Sequence, residues 1–353
     1  MNRRVRHLSI VTLNLGLVLA ACSAGTGTSP DASQSTAASA SASASEAAES
    51  EPVTLRLSHD QPIEHPNTAN IELFAQEVEE RSGGSITVEI FPAAQLFDEE
   101  TVLPALQRGE VDMGLVSVWE TLEPASLITD LPFQFTSWEE FHAAIDGEVG
   151  DLLREAYESN GVHTLYFQDN TAIDLIGTPD RIVHVPADIE GLRMRSFSEA
   201  TSEAITLWGA APTQIPGAET YTAVERGTVD GIMSGVSFYE RKWYEVTPYI
   251  TQIPVSFASN PLQMNLDTWN SLSAEQQTAI TEAAEVALAD NREQTPLTNV
   301  DAYTELKDSL TEEFYTATED EIAQWQEATR GMADWYIEKA GDLGQQILDA
   351  LGS

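Results

Sequence analysis

VTLRLSHD (residues 53–60) begins a run of alternating elements that decides the fold class. Its apolar and polar residues alternate, which is typical of a β-strand with one buried face. NTANIELFAQEVEERSGG (67–84) follows with apolar residues at helical spacing and a closing glycine pair, and SITVEIFP (85–92) is predicted to be a second strand. A helix over 99–110 and a buried strand over 111–118 complete the series. This alternation predicts an α/β domain with a parallel sheet.

A second, weaker copy of the pattern occurs in the middle of the chain. LQRGEVDMG (106–114) and VERGTVDGI (224–232) share the order helix, Arg-Gly turn, Val-Asp and strand. The repetition predicts two similar α/β lobes. The further predicted elements are strands at 162–169, 192–197 and 229–235, and helices at 137–161, 202–210, 219–228, 272–310 and 318–341.

The helix predicted over 272–310 is unusually long. Ser273 is its expected N-cap, because a serine hydroxyl accepts a hydrogen bond from the first free backbone N–H groups. A helix of this length is able to brace both lobes.

The first 52 residues are predicted to direct export and to form a tether. Three early arginines precede the apolar segment 8–21, which is too short to span a bilayer comfortably, so residues 1–21 are expected to be a signal peptide. Cys22, the one cysteine of the chain, ends LAAC, which resembles a bacterial lipobox with a lipidated cysteine; an ordinary signal peptide is the alternative. Residues 22–52 are rich in Ser and Ala and are predicted to be a flexible tether. We therefore expect an exported protein, lipid-anchored at the outer face of the cytoplasmic membrane or in the periplasm.

Composition argues against several classes of partner and site. With 17 Lys and Arg against 57 Asp and Glu, the formal net charge is −40, and such a surface repels nucleic acid and anionic lipid. One cysteine permits no intrachain disulfide. His59 and His65 lie near acidic residues, but prolines interrupt them and no i,i+4 histidine pair occurs, so no metal site is predicted. The chain contains no P-loop, no G-x-S-x-G and no cysteine nucleophile. We expect no cofactor and no catalysis.

Several motifs together resemble one known family, the DctP-like extracytoplasmic solute-binding proteins of TRAP transporters. The similarity runs from about residue 53 to 290. The motifs are HPNTANIELFAQEVEERSGGSITVEIFPAAQL (65–96), LPFQF (131–135), DIEGLRMR (188–195), WGAAPTQIPGAETYTAVERGTVDGI (208–232) and YEVTPYI (244–250).

The resemblance implies a two-lobe periplasmic-binding-protein architecture with crossing strands and a long hinge-spanning C-terminal helix. Lobe I is expected to comprise 53–170 and 260–298, and lobe II 171–259 and 299–353. The resemblance further implies a monomer that captures a small organic anion between its lobes and delivers it to the TRAP membrane permease subunits.

GLRMRSF (191–197) holds the residue on which the binding prediction depends. Arg193 and Arg195 are two apart and would point the same way on a strand. The resemblance implies that Arg195 anchors the ligand carboxylate, because a planar guanidinium bonds a carboxylate through two parallel bonds. Arg193 falls where the family usually has Lys, and we expect it to be a supporting or surface residue.

Three positions depart from the family pattern. Ile173 occupies the place of a second arginine, Ser234 that of a ligand-facing asparagine, and Gly217 that of an aromatic residue that covers the ligand. Arg195 is therefore expected to be the main positive charge at the ligand, which favours a monocarboxylate. Whether another cation replaces the missing one stays open.

Other residues are weaker candidates for the pocket. Trp119 is predicted either to stack on a ligand ring or to belong to the core, and Glu219 either to bind the ligand or to hold neighbouring groups at a helix start. The remaining candidates lie at strand ends or next to Arg195: Asp60, Ser117, Glu120, Ser198 and Tyr239.

Two alternatives accompany the organic-acid receptor. A receptor of the same fold for a neutral or cationic solute, or a sensor partner, is consistent with the missing arginine and the acidic chain. An exported hydrolase on a similar fold is the third possibility.

Overall fold

The computed structural model describes residues 51–352. The predicted signal peptide, Cys22 and nearly all of the predicted tether lie outside the described residues. Within 51–352, no helix combines the length and the apolar character that crossing a membrane requires.

The described chain builds one mixed nine-stranded sheet flanked by helices. The strands are β1 (Val53–Ser58), β2 (Ile86–Phe91), β3 (Met113–Leu115), β4 (Val162–Thr178), β5 (Arg193–Ser196), β6 (Ala211–Gln214), β7 (Gly231–Ser234), β8 (Tyr249–Asn265) and β9 (Phe314–Thr316). Their order across the sheet is β2-β1-β3-β8-β4-β7-β5-β6, and β9 pairs with β8.

The sheet consists of two equivalent halves. In one half β1 is parallel to β2 and β3, and in the other β5 is parallel to β6 and β7. Each half is closed by a long antiparallel strand, β8 beside β3 and β4 beside β7. These two 17-residue strands pair with each other at the centre, so the chain crosses between the halves there. The lobe boundaries predicted at 170/171 and 259/260 fall within them.

The internal repeat predicted from the two Val-Asp segments is confirmed. The Asp112 carboxylate accepts the backbone N–H of Arg56 at 2.8 Å, and Asp230 accepts that of Arg193 at 2.9 Å. Each aspartate thereby ties a loop to the central parallel strand of its half, at the middle of β1 and at the first residue of β5. The same local sequence therefore builds the same local structure twice.

The helices cover the faces of the sheet. They are α1 (Pro66–Arg81), α2 (Val102–Gln107), α3 (Trp138–Ile145), α4 (Glu148–Ser159), α5 (Glu199–Leu207), α6 (Thr220–Glu225), α7 (Ser237–Glu240), α8 (Leu266–Ser271), α9 (Ala274–Ser309), α10 (Glu319–Ala328) and α11 (Met332–Leu351). Short 3₁₀ turns occur at Pro124–Asp130, Pro186–Ile189, Gly217–Glu219 and Trp243–Glu245.

Two predicted helices are each broken into two. The helix predicted over 137–161 is interrupted at Gly147, whose φ of −99° and ψ of −151° are extended and cap the start of α4. The helix predicted over 318–341 consists of α10 and α11, and α11 itself continues to Leu351 across a non-helical Gly341 with φ 61°. Glycine permits each of these backbone conformations at little steric cost.

The long helix α9 spans both halves, as the sequence predicts. Ser273 caps it, and Gln276 completes a capping box. Ile280 packs in the core cluster that contains β1 and α1, whereas Leu306, seven turns further on, packs with Trp243 beside β7. The helix is therefore a brace common to the two cores.

Candidate functional site

A cavity of about 390 Å³ lies where the two halves of the sheet meet. The carboxyl ends of β1, β3, β5, β6 and β7 converge on it, and the middle parts of the crossing strands β4 and β8 complete its wall. Ligands of open α/β sheets bind at the carboxyl ends of the strands, and the volume lies within the usual range of small-molecule pockets. The fold thus creates one candidate binding site from both halves.

Arg195 is the most constrained cation of this cavity. Its side chain is 5% exposed, its Nε donates to the Ile215 carbonyl at 2.9 Å, and its guanidinium carbon lies 5.3 Å from the Phe197 ring centre and 5.6 Å from that of Trp243. Within residues 51–352 its two terminal amino groups have no protein acceptor. Burial lowers the pKa of Arg195 to about 10, so the group stays protonated at neutral pH. Its fork of donors remains available to a carboxylate in the cavity.

Arg193 has a different role although it lies two residues away on β5. It occupies the amino end of the strand, is exposed, and forms a two-bond ion pair with Asp230 through Nε at 2.9 Å and Nη2 at 2.6 Å. This corresponds to the expected supporting role of a surface residue. The pair repeats the Arg56–Asp112 contact of the first half.

A second cation, Arg241, also lines the cavity, which resolves what the sequence leaves open. Its guanidinium carbon is 3.5 Å from the point that a Cβ on Gly217 would occupy. The glycine at position 217 therefore leaves room for an arginine side chain. The expectation that Arg195 stands nearly alone is accordingly corrected.

Carboxylates outnumber guanidinium groups around the cavity. Five acidic side chains line it: Asp60, Glu99, Glu100, Glu120 and Asp130. Among the described residues, none of the five lies within 4.0 Å of a Lys, Arg or His side-chain nitrogen. The cavity therefore contains negative charge that the protein does not neutralise by direct ion pairs.

Burial changes the acidity of these groups. Burial raises the pKa of Asp130 to about 7, although a hydrogen bond from the Ser198 hydroxyl acts in the opposite direction. It also raises the pKa of Glu120, Asp60 and Glu99. The nearby Arg241 partly offsets this for Asp60 and Glu99, because a cation favours the ionised carboxylate.

Most residues predicted for the site do line the cavity. They are Asp60, Ser117, Trp119, Glu120, Ile173, Arg195, Ser198, Gly217 and Ser234. Trp119 is 2% exposed, stacks on Tyr157 at 4.1 Å and donates from Nε1 to Gln263 at 2.9 Å, which corresponds to its predicted core role, while its stacking on a ligand ring stays a prediction. Ser198 also caps α5.

Two predicted residues are not brought into the cavity. Glu219 ends the short turn at Gly217–Glu219 with its side chain exposed to solvent. Tyr239 lies on α7, where it is 6.5 Å from Tyr244 and lines a separate groove beside α9. The positions of both residues have the same cause. Each lies on a short helix or turn, where tertiary packing sets the direction of the side chain and sequence spacing does not reveal it.

Arg241, Asp130 and Glu99 were missed by the sequence reasoning. Glu99 lies on a loop, Asp130 ends a 3₁₀ turn and Arg241 follows the short helix α7, all outside any recognisable motif. For Arg241, the sequence offered one indication. The chain has only 17 Lys and Arg, so each arginine could have been considered as a ligand-binding residue.

The described residues contain no arrangement of three or more His, Cys, Asp or Glu side chains that would hold a metal ion. A cavity shared by two halves and lined by charged and aromatic groups defines a protein that binds a small solute.

Comparison with known proteins identifies the class further. Residues 57–339 match the model of the DctP family, bacterial extracellular solute-binding protein family 7. The chain is 30% identical over 305 residues to the C4-dicarboxylate-binding periplasmic protein DctP of Rhodobacter capsulatus, covering 83% of this chain and 89% of that one.

Solved structures share the fold. A TRAP periplasmic solute-binding protein from Ochrobactrum anthropi matches with a TM-score of 0.78 and 26% identity, covering 86% of this chain and 95% of that chain. DctP7, a Bordetella pertussis extracytoplasmic solute receptor binding pyroglutamic acid, matches with a TM-score of 0.79 and 22% identity, covering 85% and 99%. The chain belongs to extracellular solute-binding protein family 7, the DctP-like substrate receptors of TRAP transporters, and it is not an enzyme.

Proposed function

We propose that this receptor captures a small organic acid in the cavity and that Arg195 binds its carboxylate. The observation that carries the proposal is the buried guanidinium of Arg195, whose terminal donors lack protein acceptors within residues 51–352. A charged donor that is removed from water is costly unless it gains a partner. A ligand carboxylate supplies that partner in the required planar geometry.

The ligand is proposed to carry one carboxylate. The relative from Rhodobacter capsulatus is named for C4-dicarboxylates and the Bordetella pertussis receptor for pyroglutamic acid, so family membership does not choose between the two classes. Arg241 supplies a second cation, but Glu99 is near enough to interact electrostatically with both arginines, and Asp60 with Arg241. A second ligand carboxylate would meet further acidic groups, which favours a single one.

Closure of two lobes around the acid would precede its delivery to the TRAP permease subunits. The predicted lobes, 53–170 with 260–298 and 171–259 with 299–353, change over at β4, β8 and α9. These are the three segments that join the halves, and small rotations there would open or close the cavity.

The experiment that tests the function is native mass spectrometry of the protein purified from its own host, followed by calorimetric titration with the identified molecule. We expect one bound molecule that contains a carboxylate and binds with micromolar or tighter affinity. A co-purified molecule without any acidic group, binding equally tightly, would contradict the proposal.

Lipid anchoring at Cys22 is part of the same proposal, since a tethered receptor stays near its permease. Replacement Cys22→Ala is expected to move the protein from the membrane fraction to the soluble fraction, because the thiol that takes the lipid is lost. Replacement Ser23→Ala is the matched control and should leave the protein with the membrane. An unmodified protein that is already soluble would argue for an ordinary signal peptide, and membrane association that survives Cys22→Ala would contradict anchoring through Cys22.

A further inference from the structure

The charged groups of the cavity fall into two sets. The charge of Arg241 lowers the pKa of Arg195, both arginines lower that of Glu99, and Arg241 also lowers that of Asp60. We call these four residues the arginine side. Glu120, Asp130 and Ser198 form the acid side, where Ser198 bonds Asp130 and the charge of Glu120 raises the pKa of Asp130.

The acid side lacks a cation inside the cavity. Glu120 accepts the backbone N–H of Glu199 at 3.1 Å and the Gln214 amide at 3.2 Å, and Asp130 takes a bond from Ser198. These donors are neutral. Lys339 lies outside the cavity lining and pairs at 2.6 Å with Glu199. Lys339 is near enough for its charge to lower the pKa of Glu120. Among the described residues, however, no cation forms a hydrogen bond or ion pair with either carboxyl group, so both face the cavity with neutral hydrogen-bond partners.

Two neighbouring carboxyl groups without a cation are an unfavourable arrangement unless one of them binds a proton or another group supplies positive charge. For a receptor of simple acids the acid side would only oppose binding. For a ligand with a positive group, the same side would supply the complementary charge. The elevated pKa of Asp130 is consistent with an acid that gains from a nearby cation.

We propose that the ligand is a zwitterion, whose carboxylate lies at Arg195 and whose protonated amine lies between Glu120 and Asp130. The inference rests on the proposed carboxylate anchor at Arg195. It combines the single-carboxylate proposal with the cationic alternative, because both groups then belong to one molecule. An amino acid or a similar amine-bearing monocarboxylate is the chemical class that fits.

The test compares matched monocarboxylates that differ by an amine. Suitable pairs are 4-aminobutyrate with butyrate, 5-aminopentanoate with pentanoate, L-proline with cyclopentanecarboxylate, and L-phenylalanine with 3-phenylpropanoate. Thermal shift of the full chain selects binders and calorimetry gives Kd. At least one amine-bearing probe is expected to bind about tenfold or more tightly than its partner, which is the size of one charge-assisted bond.

The double variant Glu120→Gln with Asp130→Asn is expected to remove this preference while keeping hydrogen-bonding side chains of similar size. Asp334→Asn, which removes an exposed carboxylate at the start of α11, is the charge control and should keep it. Unfolding temperatures without ligand identify a variant that fails to fold; in that event the single replacement Asp130→Asn takes its place.

The results separate the two proposals. If the deaminated partners bind as well as the amines in every pair, if no amine-bearing probe binds, or if the preference survives in the double variant, the zwitterion proposal is overturned. Loss of deaminated binders on Arg195→Gln would then still support the carboxylate anchor. If amine-bearing probes bind equally well to Arg195→Gln, the anchor fails, and the zwitterion proposal that depends on it fails too.

Discussion

Replacement of Arg195 by alanine is expected to weaken binding of the carboxylate ligand by about 100-fold or more. A guanidinium can make two charge-assisted bonds to a carboxylate, and such bonds contribute roughly 1.5–3 kcal/mol each. Arg241, which lies beside Gly217, remains as a second cation of the cavity, so binding is expected to be weakened rather than abolished. Calorimetric titration with the co-purified acid measures the loss.

Arg193→Ala is the matched control for this prediction. It removes the same side chain from the same strand, yet its guanidinium is exposed and bonded to Asp230. Its removal is expected to change Kd by less than about twofold and to leave the unfolding temperature nearly unchanged, because exposed ion pairs contribute little to stability. Arg195→Gln retains a donor for the Ile215 carbonyl and serves if the alanine variant folds poorly. Equal affinities for the Arg193 and Arg195 variants would refute the assignment of the anchor.

The second large effect concerns Gly235, which follows β7 at the cavity wall. A Cβ at this position would lie well inside 3.0 Å of both the Ala172 carbonyl oxygen and the Thr171 hydroxyl of the crossing strand β4. Neither is the free end of a flexible side chain, so the two strands must separate. We expect Gly235→Ala to lower the free energy of unfolding by about 3 kcal/mol or more, at the upper end of overpacking effects.

The same substitution should weaken ligand binding, because Ser234 and Ser237 on either side of Gly235 line the cavity. Gly331→Ala is the control: nothing lies within 4 Å of its added Cβ, and its φ of −81° suits any residue. Urea unfolding followed by circular dichroism compares the two variants. A Gly235→Ala protein as stable as Gly331→Ala would contradict the close packing between β7 and β4.

The sequence predicts the parts of the fold that depend on local pattern. The alternation over 53–118 and the repeated Val-Asp segments indicate parallel strands in two copies, and both are present. The crossing strands β4 and β8 are harder to predict from the sequence. The prediction over 162–169 covers only the first part of β4, and no pattern indicated β8, because the register shifts at three places and long stretches of both strands are buried on both faces. Alternation is lost where no face meets solvent.

The residues of the site also divide into those that the sequence pattern predicts and those that it does not. Asp60 and Ser117 lie at the ends of predicted strands, and Ser198 directly follows one. Because the carboxyl ends of parallel strands face one edge of a sheet, sequence order brings them to the cavity. Arg241 and Asp130 reach it from turns whose direction is set by tertiary contacts. The charges of Arg241 and Asp130 affect the inferred chemistry of the ligand more than the charge of any predicted residue does.

The setting of Arg195 bears on the thermodynamics of recognition. A free arginine side chain carries about 2 kcal/mol of rotamer entropy that immobilisation on a ligand would remove. In this protein the bond to the Ile215 carbonyl and the rings of Phe197 and Trp243 already restrict the side chain. Much of that entropy is therefore lost during folding rather than at the moment of capture, so association begins from an ordered receptor group.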